Sequence, residues 1–261
     1  MTVGVKMSAM QIGAATPSLS KARVYVGCAG WSVTRDAAKH FPPGESHLAR
    51  YAGRLSAVEI NTSFYRPHQP ATYRRWAETV PADFRFSVKI PKWITHDRRL
   101  QVEPGEVQIF LDEVSALENR LQCLLVQLPP SLRFDHDLAN RFFTALREQS
   151  SAAIVCEPRH LSWFGDEANS LLAACGVSRV AADPAVVPEA AVPGGSSTLN
   201  YYRWHGSPRM YYSAYDDARL ARLAKDVRSA VDNGQECWCI FDNTAAGAAI
   251  ENALTLQDRL A

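Results

Sequence analysis

Short apolar runs alternate along this chain with longer stretches whose apolar residues recur every three or four positions. The first kind reads as buried strand, the second as amphipathic helix. Residues 24–31 are the first predicted strand, and 43–55 a helix with Leu48, Tyr51, Ala52 and Leu55 on one face. A second strand covers 57–64, and Pro70 opens a helix through Tyr73, Trp76 and Ala77. A third strand, 84–90, stops at Pro91; the helix after it spans 105–120. The fourth strand, 123–128, is closed by Pro129-Pro130 and leads to a helix over 136–148. The fifth strand is 152–157, with a helix at 166–175, and the sixth is 177–183. Residues 184–198 are rich in Pro, Gly and Ser and predict no helix. The seventh strand, 199–205, precedes a helix over 216–232 ended by Asn233-Gly234. The eighth strand, 237–243, and a helix over 247–260 complete the chain.

Eight strands alternating with helices over about 240 residues predict an α/β fold. The expected architecture is a single (β/α)8 TIM barrel, with a closed parallel eight-stranded sheet and an outer ring of helices. An open doubly wound sheet is the rival, but no Gly-x-Gly-x-x-Gly run follows the first strand. No composition shift marks a linker, so residues 23–261 read as one barrel domain. Residues 1–22, rich in Ala, Ser, Gly and Met, read as a flexible N-terminal tail.

Composition narrows the partners. The 261 residues carry a formal net charge of +1, so a broad nucleic-acid surface is not expected. No apolar run approaches the roughly 18 residues of a membrane helix, and no signal-peptide core stands at the start. The expectation is a cytoplasmic protein with no membrane partner. The six cysteines contain no CxxC pair, and most sit in apolar strand runs, where a thiol behaves as a small hydrophobe.

The chemistry is carried by polar residues inside or ending the strands. A barrel strand is buried on both faces, so a charge within it needs a reason. Side chains alternate, so Tyr201, Arg203 and His205 share one face; so do Glu59 and Asn61, and Ser87 and Lys89. Glu157 and Arg159 fall together beyond Val155, and Gln127, Asp183 and Asn243 end three more strands. The C-terminal end of the strands is where barrels assemble sites. Glu59, Glu157, His205 or His96 could move protons, and Lys89 could act as nucleophile or Schiff base. Glu59, Glu157, Asp183 and His205 could hold a divalent metal, although Lys89 and the arginines already offset those carboxylates; no metal is favoured, and any cofactor is unknown. Trp31 and Tyr65 could wall a pocket, and Gly206-Ser207 could let backbone approach a phosphate held by Arg203. An interior ion-pair network is the alternative for the whole set.

At these residues the chain resembles a known family. Gly27-Cys28-Ala29-Gly30-Trp31, Glu59-Ile60-Asn61-Thr62-Ser63-Phe64-Tyr65, Phe86-Ser87-Val88-Lys89 with Thr95-His96, Gln127-Leu128-Pro129-Pro130, Glu157-Pro158-Arg159-His160 and Arg203-Trp204-His205-Gly206 match its motifs. It is identified as a member of the DUF72 (YecE-like) family, over about residues 24–260. The resemblance implies a TIM-barrel fold and confers no reaction. The chain departs from the family pattern at the last strand, with Asp242-Asn243-Thr244 where two Asn are usual, and Ala248-Ala249 in place of a following His.

The expected function is an enzyme, of hydrolase, lyase or isomerase type, acting on a small polar or anionic and possibly phosphorylated substrate at the C-terminal mouth. Its catalytic candidates are Glu59, Lys89, Glu157, His205 and His96. Its binding candidates are Trp31, Asn61, Tyr65, Gln127, Arg159, Asp183, Arg203, Gly206, Ser207 and Asn243. A nucleic-acid-processing barrel resembling abasic-site endonucleases and a non-catalytic ligand-binding protein are the alternatives. The first needs several metal-binding His and Asp/Glu, and the chain has 7 His, scattered.

Overall fold

The structure is a computed structural model that describes residues 23–261; the expected tail over 1–22 lies outside the described residues. Strand and helix alternate as the apolar pattern predicts. Strands β1 (Val24–Ala29), β2 (Ala57–Ile60), β3 (Arg85–Lys89), β4 (Leu121–Gln127) and β5 (Ala153–Glu157) pair in that order, all parallel. Between them run helices α1 (His47–Ala52), α2 (Pro70–Thr79), α3 (Pro104–Val114) and α4 (His136–Gln149). Helix α5 (Asp166–Ala174) follows β5.

The sheet departs from eight plain parallel strands. The predicted sixth strand is two short ones, β6 (Val177–Arg179) and β7 (Ala181–Asp183), on either side of Val180. β6 pairs with β5, whereas β7 pairs with β9 (Leu199–Trp204), which pairs with β10 (Glu236–Phe241), which returns to β1. One continuous segment thus gives its first half to one neighbour and its second half to the other, as tilted, staggered barrel strands require. A tenth strand, β8 (Gly194–Gly195), lies antiparallel against β6. It falls in the stretch that reads as featureless loop, and glycine is what allows it: a Cβ on Gly195 would sit 2.4 Å from Val177 O. The result is a ten-stranded, mixed and nearly closed TIM-barrel-like sheet, ringed by the five helices above with α6 (Asp217–Asp232) and α7 (Ala248–Leu260).

Several elements are shorter than the pattern predicts. β2 ends at Ile60, where Ser63 Oγ donates to Lys89 O (2.7 Å) and lies 3.0 Å from Ile60 O, with Thr62–Phe64 folded into a 3-10 turn. α1 begins only after Pro42-Pro43-Gly44, capped by Ser46. α3 gives way at Val114 to a 3-10 stretch in which Glu118 takes φ 52°.

Two cores form, and they set the side-chain register. Val58, Ile60, Phe86, Val88, Leu124, Val126 and Ile154 face outward onto the helices. Tyr25, Leu125, Val155, Val180, Tyr201, Trp238 and Ile240 fill the barrel interior. There Tyr201 stacks on Trp238 at 5.8 Å and Tyr25 tilts against it at 4.9 Å. These rings plug the lower barrel, so the next inward position of each strand lies at its C-terminal end. The six cysteines are free thiols. Among the described residues no helix is long and apolar enough to cross a membrane.

One side chain ties helix to sheet at the first strand pair. Tyr51 Oη accepts from Cys28 N (2.8 Å) and donates to Ala57 O (2.9 Å), joining β1 and β2 from α1. Burial pushes the Tyr51 phenol well above its ordinary pKa, so it stays a donor. Tyr51→Phe should leave a buried N–H and a buried carbonyl without this partner. A loss of about 1–3 kcal/mol in urea unfolding is expected.

Candidate functional site

The register that packs Tyr201 and Trp238 against each other carries polar groups inward two residues later. β9 continues from Tyr201 to Arg203 and then His205; β10 continues from Trp238 through Ile240 to Asp242. β2 contributes Glu59 after Ala57, β3 contributes Lys89 after Ser87, and β5 contributes Glu157 after Val155. Glu59, Glu157 and His205 are fully buried, with Arg203 1% exposed and Asp242 6%.

Arg203 is the centre. Its Nε donates to Glu59 Oε2 (3.0 Å) and its Nη2 to Glu59 Oε1 (2.7 Å), a bidentate pair. Nη2 also pairs with Asp242 Oδ2 (2.9 Å), and Nη1 donates to Glu157 Oε2 (3.1 Å). Tyr201 Oη lies 3.0 Å from Glu59 Oε2 and 2.9 Å from Ser87 Oγ. Burial alone would lower Arg203, but the Asp242, Glu59 and Glu157 charges outweigh it and hold the guanidinium well above its usual value. Burial would raise Glu157, and the Arg159, Arg203 and His205 charges together hold its carboxyl well below the usual range. Asp242 is lowered in the same way, its burial outweighed by Arg203 and His205.

His205 lies between two of the carboxylates. Its Nδ1 is 3.0 Å from Asp242 Oδ2 and its Nε2 is 2.8 Å from Glu157 Oε1. Arg159 Nη2 lies 3.0 Å from the same Nε2 and 2.6 Å from Glu157 Oε1. Nε2 therefore donates to the carboxylate or accepts from the guanidinium, and the proton at that atom is set by the balance of the two.

Lys89 differs from every other charge in the cluster. It is 5% exposed, yet its amine makes no hydrogen bond or ion pair among the described residues. Its Nζ lies over the Phe64 ring, 4.0 Å from the centroid. Burial, reinforced by Arg203, lowers it to about 8, against the opposing pull of Glu59, Glu157 and Asp242. His96 meets the same Phe64 ring edge-on at 5.0 Å, with Nδ1 2.9 Å from Thr95 Oγ1. Partial burial lowers His96, followed by Lys89 and Lys92, so the ring favours its neutral form near pH 7.

The structure thus brings together Glu59, Lys89, Glu157, Arg159, Arg203 and His205, with His96 beside them. Gln127 ends β4 opposite Glu157. Three of the sequence expectations need correction. Asp183 faces the helices, because Val180 points inward and alternation turns 181 and 183 out; it accepts from Tyr215 Oη (2.9 Å) and Arg219 Nη2 (3.1 Å). Asn243 faces outward for the same reason and pins Ser213 O and Asn252 through Nδ2. Arg203 has its donors on carboxylates and Gly206 N donates to Tyr215 Oη (2.8 Å), so neither is open to a phosphate. The metal set of Glu59, Glu157, Asp183 and His205 does not converge, and guanidinium groups hold its two glutamates. Among the described residues no group of three or more His, Cys, Asp or Glu is arranged to hold a metal ion.

Trp31 packs half-buried on Trp76 at 5.0 Å, and Tyr65, 74% exposed, meets the Phe64 ring edge-on at 4.9 Å. Asn61 opens the Thr62–Phe64 turn and Ser207 lies half-buried in the loop after β9. Asp242 is not among the expected site residues, nor is Tyr201 expected as a partner of Glu59. Counting alternate positions from Trp238 reaches Asp242 rather than Asn243, so the signal was present in the parity.

Comparison with known proteins gives the fold a family. The family model described as a protein of unknown function, DUF72, matches residues 25–261. A protein of Bacillus subtilis, UPF0759 protein YunF, is 22% identical over 91% of this chain and 94% of its own length. UPF0759 protein YecE of Escherichia coli K12 is 34% identical over 41% of this chain and 38% of its own. A crystal structure of a DUF72 family protein from Enterococcus faecalis superposes with a TM-score of 0.77 at 23% identity, covering 91% of this chain and 95% of that one. A DUF72 family protein from Thermotoga maritima gives 0.75 at 26% identity, with 91% and 99% covered.

Removing the central cation leaves three buried carboxylates facing one another. Arg203→Met should cost about 3–5 kcal/mol at neutral pH in chemical denaturation. Glu157 has a depressed folded pKa, so its contribution is present above the ordinary carboxylate range and lost as pH falls through the folded value. The gap between wild type and variant should therefore narrow steadily on acidification, which unfolding at a series of pH values will measure.

Proposed function

This chain belongs to the DUF72 family of proteins of unknown function, and from that premise we propose that it is an enzyme with Lys89 as its reactive group. The substrate is a small anionic molecule bound at the C-terminal mouth of the barrel. One observation carries the reading. Lys89 is a buried amine without a hydrogen-bond or ionic partner among the described residues, in a cluster where every carboxylate is already paired with a guanidinium. A structural ion pair would place a carboxylate against it; an amine kept free and shifted toward neutral pH is suited to act as base or nucleophile.

The surroundings supply the remaining roles. Glu59, Tyr201, Arg203 and Asp242 form a fixed ionic floor that positions Lys89 and does not itself react. His96, neutral near pH 7 and on the same Phe64 ring, is the proton carrier. Arg159 binds the anionic part of the substrate. Its Nε and Nη2 hold Glu157, while Nη1 takes no partner among the described residues, and the side chain is 13% exposed. The nucleic-acid-processing alternative needs a metal cluster, and the acidic and imidazole groups that could form one are bound to arginine.

Competitive labelling with trace acetic anhydride across pH tests the reading. Lys89 should acquire half its limiting reactivity near pH 8, as its lowered value requires. Lys89→Met should keep the circular dichroism and melting profile of the wild type. A Lys89 that reaches half its limiting reactivity only at the ordinary amine value of about 10.4 would end the proposal.

A further inference from the structure

The environment of Lys89 favours one class of substrate over others. Its ammonium form loses much of its hydration and meets no hydrogen-bond acceptor among the described residues. What the pocket offers instead is the face of Phe64 at 4.0 Å and the nearby field of Glu59, Glu157 and Asp242. An aromatic face and a carboxylate field stabilise positive charge that needs few hydrogen bonds. An iminium has that character: it is cationic and carries one N–H at most. The site penalises the ammonium by desolvation while suiting the iminium that an amine forms with a carbonyl compound.

We propose that Lys89 forms a Schiff base with an aldehyde or ketone that carries a carboxylate or phosphate. This inference rests on the reading of Lys89 as the reactive group. The ammonium of Lys89 gives a proton to His96. The freed amine adds to the carbonyl carbon: the N–C bond forms and the carbonyl π pair moves to oxygen. A proton passes from nitrogen to that oxygen, giving the carbinolamine. His96 returns its proton to the hydroxyl as the C–O bond breaks, water leaves, and the nitrogen lone pair completes the iminium. Ammonium and carbonyl become iminium and water, with no net proton taken up. Arg159 Nη1 is the contact for the anionic substituent.

The same geometry explains why the carboxylates do not compete for this proton. Glu59 and Glu157 are held by Arg203 and Arg159, and Asp242 by Arg203 and His205. Among the described residues His96 is bonded to Thr95 alone, through Nδ1. Proton traffic to and from the amine is assigned to His96, which meets the same Phe64 ring as Lys89.

Reductive trapping decides the matter. The full-length protein is incubated with pyruvate, glyoxylate or dihydroxyacetone phosphate in the presence of sodium cyanoborohydride, then digested and mapped by mass. One adduct per chain is expected, at Lys89, with at least tenfold preference over Lys39 and Lys225. Lys89→Arg, which keeps a cation in place, should abolish it, and His96→Ala should slow its formation about tenfold while leaving the labelled position unchanged. Adducts spread over the exposed lysines, or trapping unaffected by Lys89→Arg, would overturn the Schiff-base proposal. If in that event Lys89 still titrates near pH 8, the amine acts as a base; if it titrates only at the ordinary amine value of about 10.4, the broader reading falls as well.

Discussion

Three carboxylates buried within reach of one guanidinium are the constraint on which the upper barrel depends. Two unit charges a few ångströms apart in a protein interior interact by several kcal/mol even at a generous effective dielectric. Glu59, Glu157 and Asp242 could not share that space without a cation among them. Arg203 meets all three, and it reaches them across the barrel from β9 to β2, β5 and β10. The lower barrel is closed by aromatic stacking of Tyr201, Trp238 and Tyr25, and the upper barrel by charge. Tyr201 belongs to both layers, with its ring in the apolar plug and its hydroxyl on Glu59.

That arrangement divides the polar residues into those saturated by one another and those with a donor or acceptor left open. A guanidinium with its donors saturated by carboxylates binds no substrate oxygen, however well placed it looks along its strand. The same saturation removes the carboxylates as proton acceptors, since Glu157 and Asp242 are held below the usual range. What remains at the mouth is Lys89, His96 and the free edge of Arg159. The pairing of the cluster is thus the reason that a single unpaired amine stands out.

The strand edges follow a second constraint, steric rather than electrostatic. Segment 177–183 serves β5 and β9 in turn, and its open flank is covered by two glycines of β8 that approach closer than a Cβ would allow. Asn169 supports that cover, accepting from Gly195 N at 2.8 Å and from Arg179 at 3.2 Å. The Asp183 end of the same segment is fastened outward by Tyr215 and Arg219, which keeps its carboxylate away from the interior charges.

The sequence by itself determined the alternation of strand and helix and the parity that turns Glu59, Lys89, Glu157, Arg203 and His205 inward. Both are local: apolar periodicity fixes the element, and a period of two fixes which side chain meets the packed core. It also carried the family motifs, and with them the barrel. The ends of elements were less legible, because a hydroxyl such as Ser63 can fold the last residues of a run back on themselves. Asp183 and Asn243 stand at strand ends, but the inward positions are their neighbours, Asp242 among them. Only the tertiary structure decided how the sixth strand divides between two neighbours and why a Gly-Gly pair in a loop becomes a strand, since both depend on what lies across the sheet. It alone decided which charges neutralise one another. Arg203 and Lys89 are both cations on inward strand positions, yet one is surrounded by carboxylates and the other lies on an aromatic ring. Pairing is a property of distances between strands far apart in the chain, and no pattern along one strand contains it.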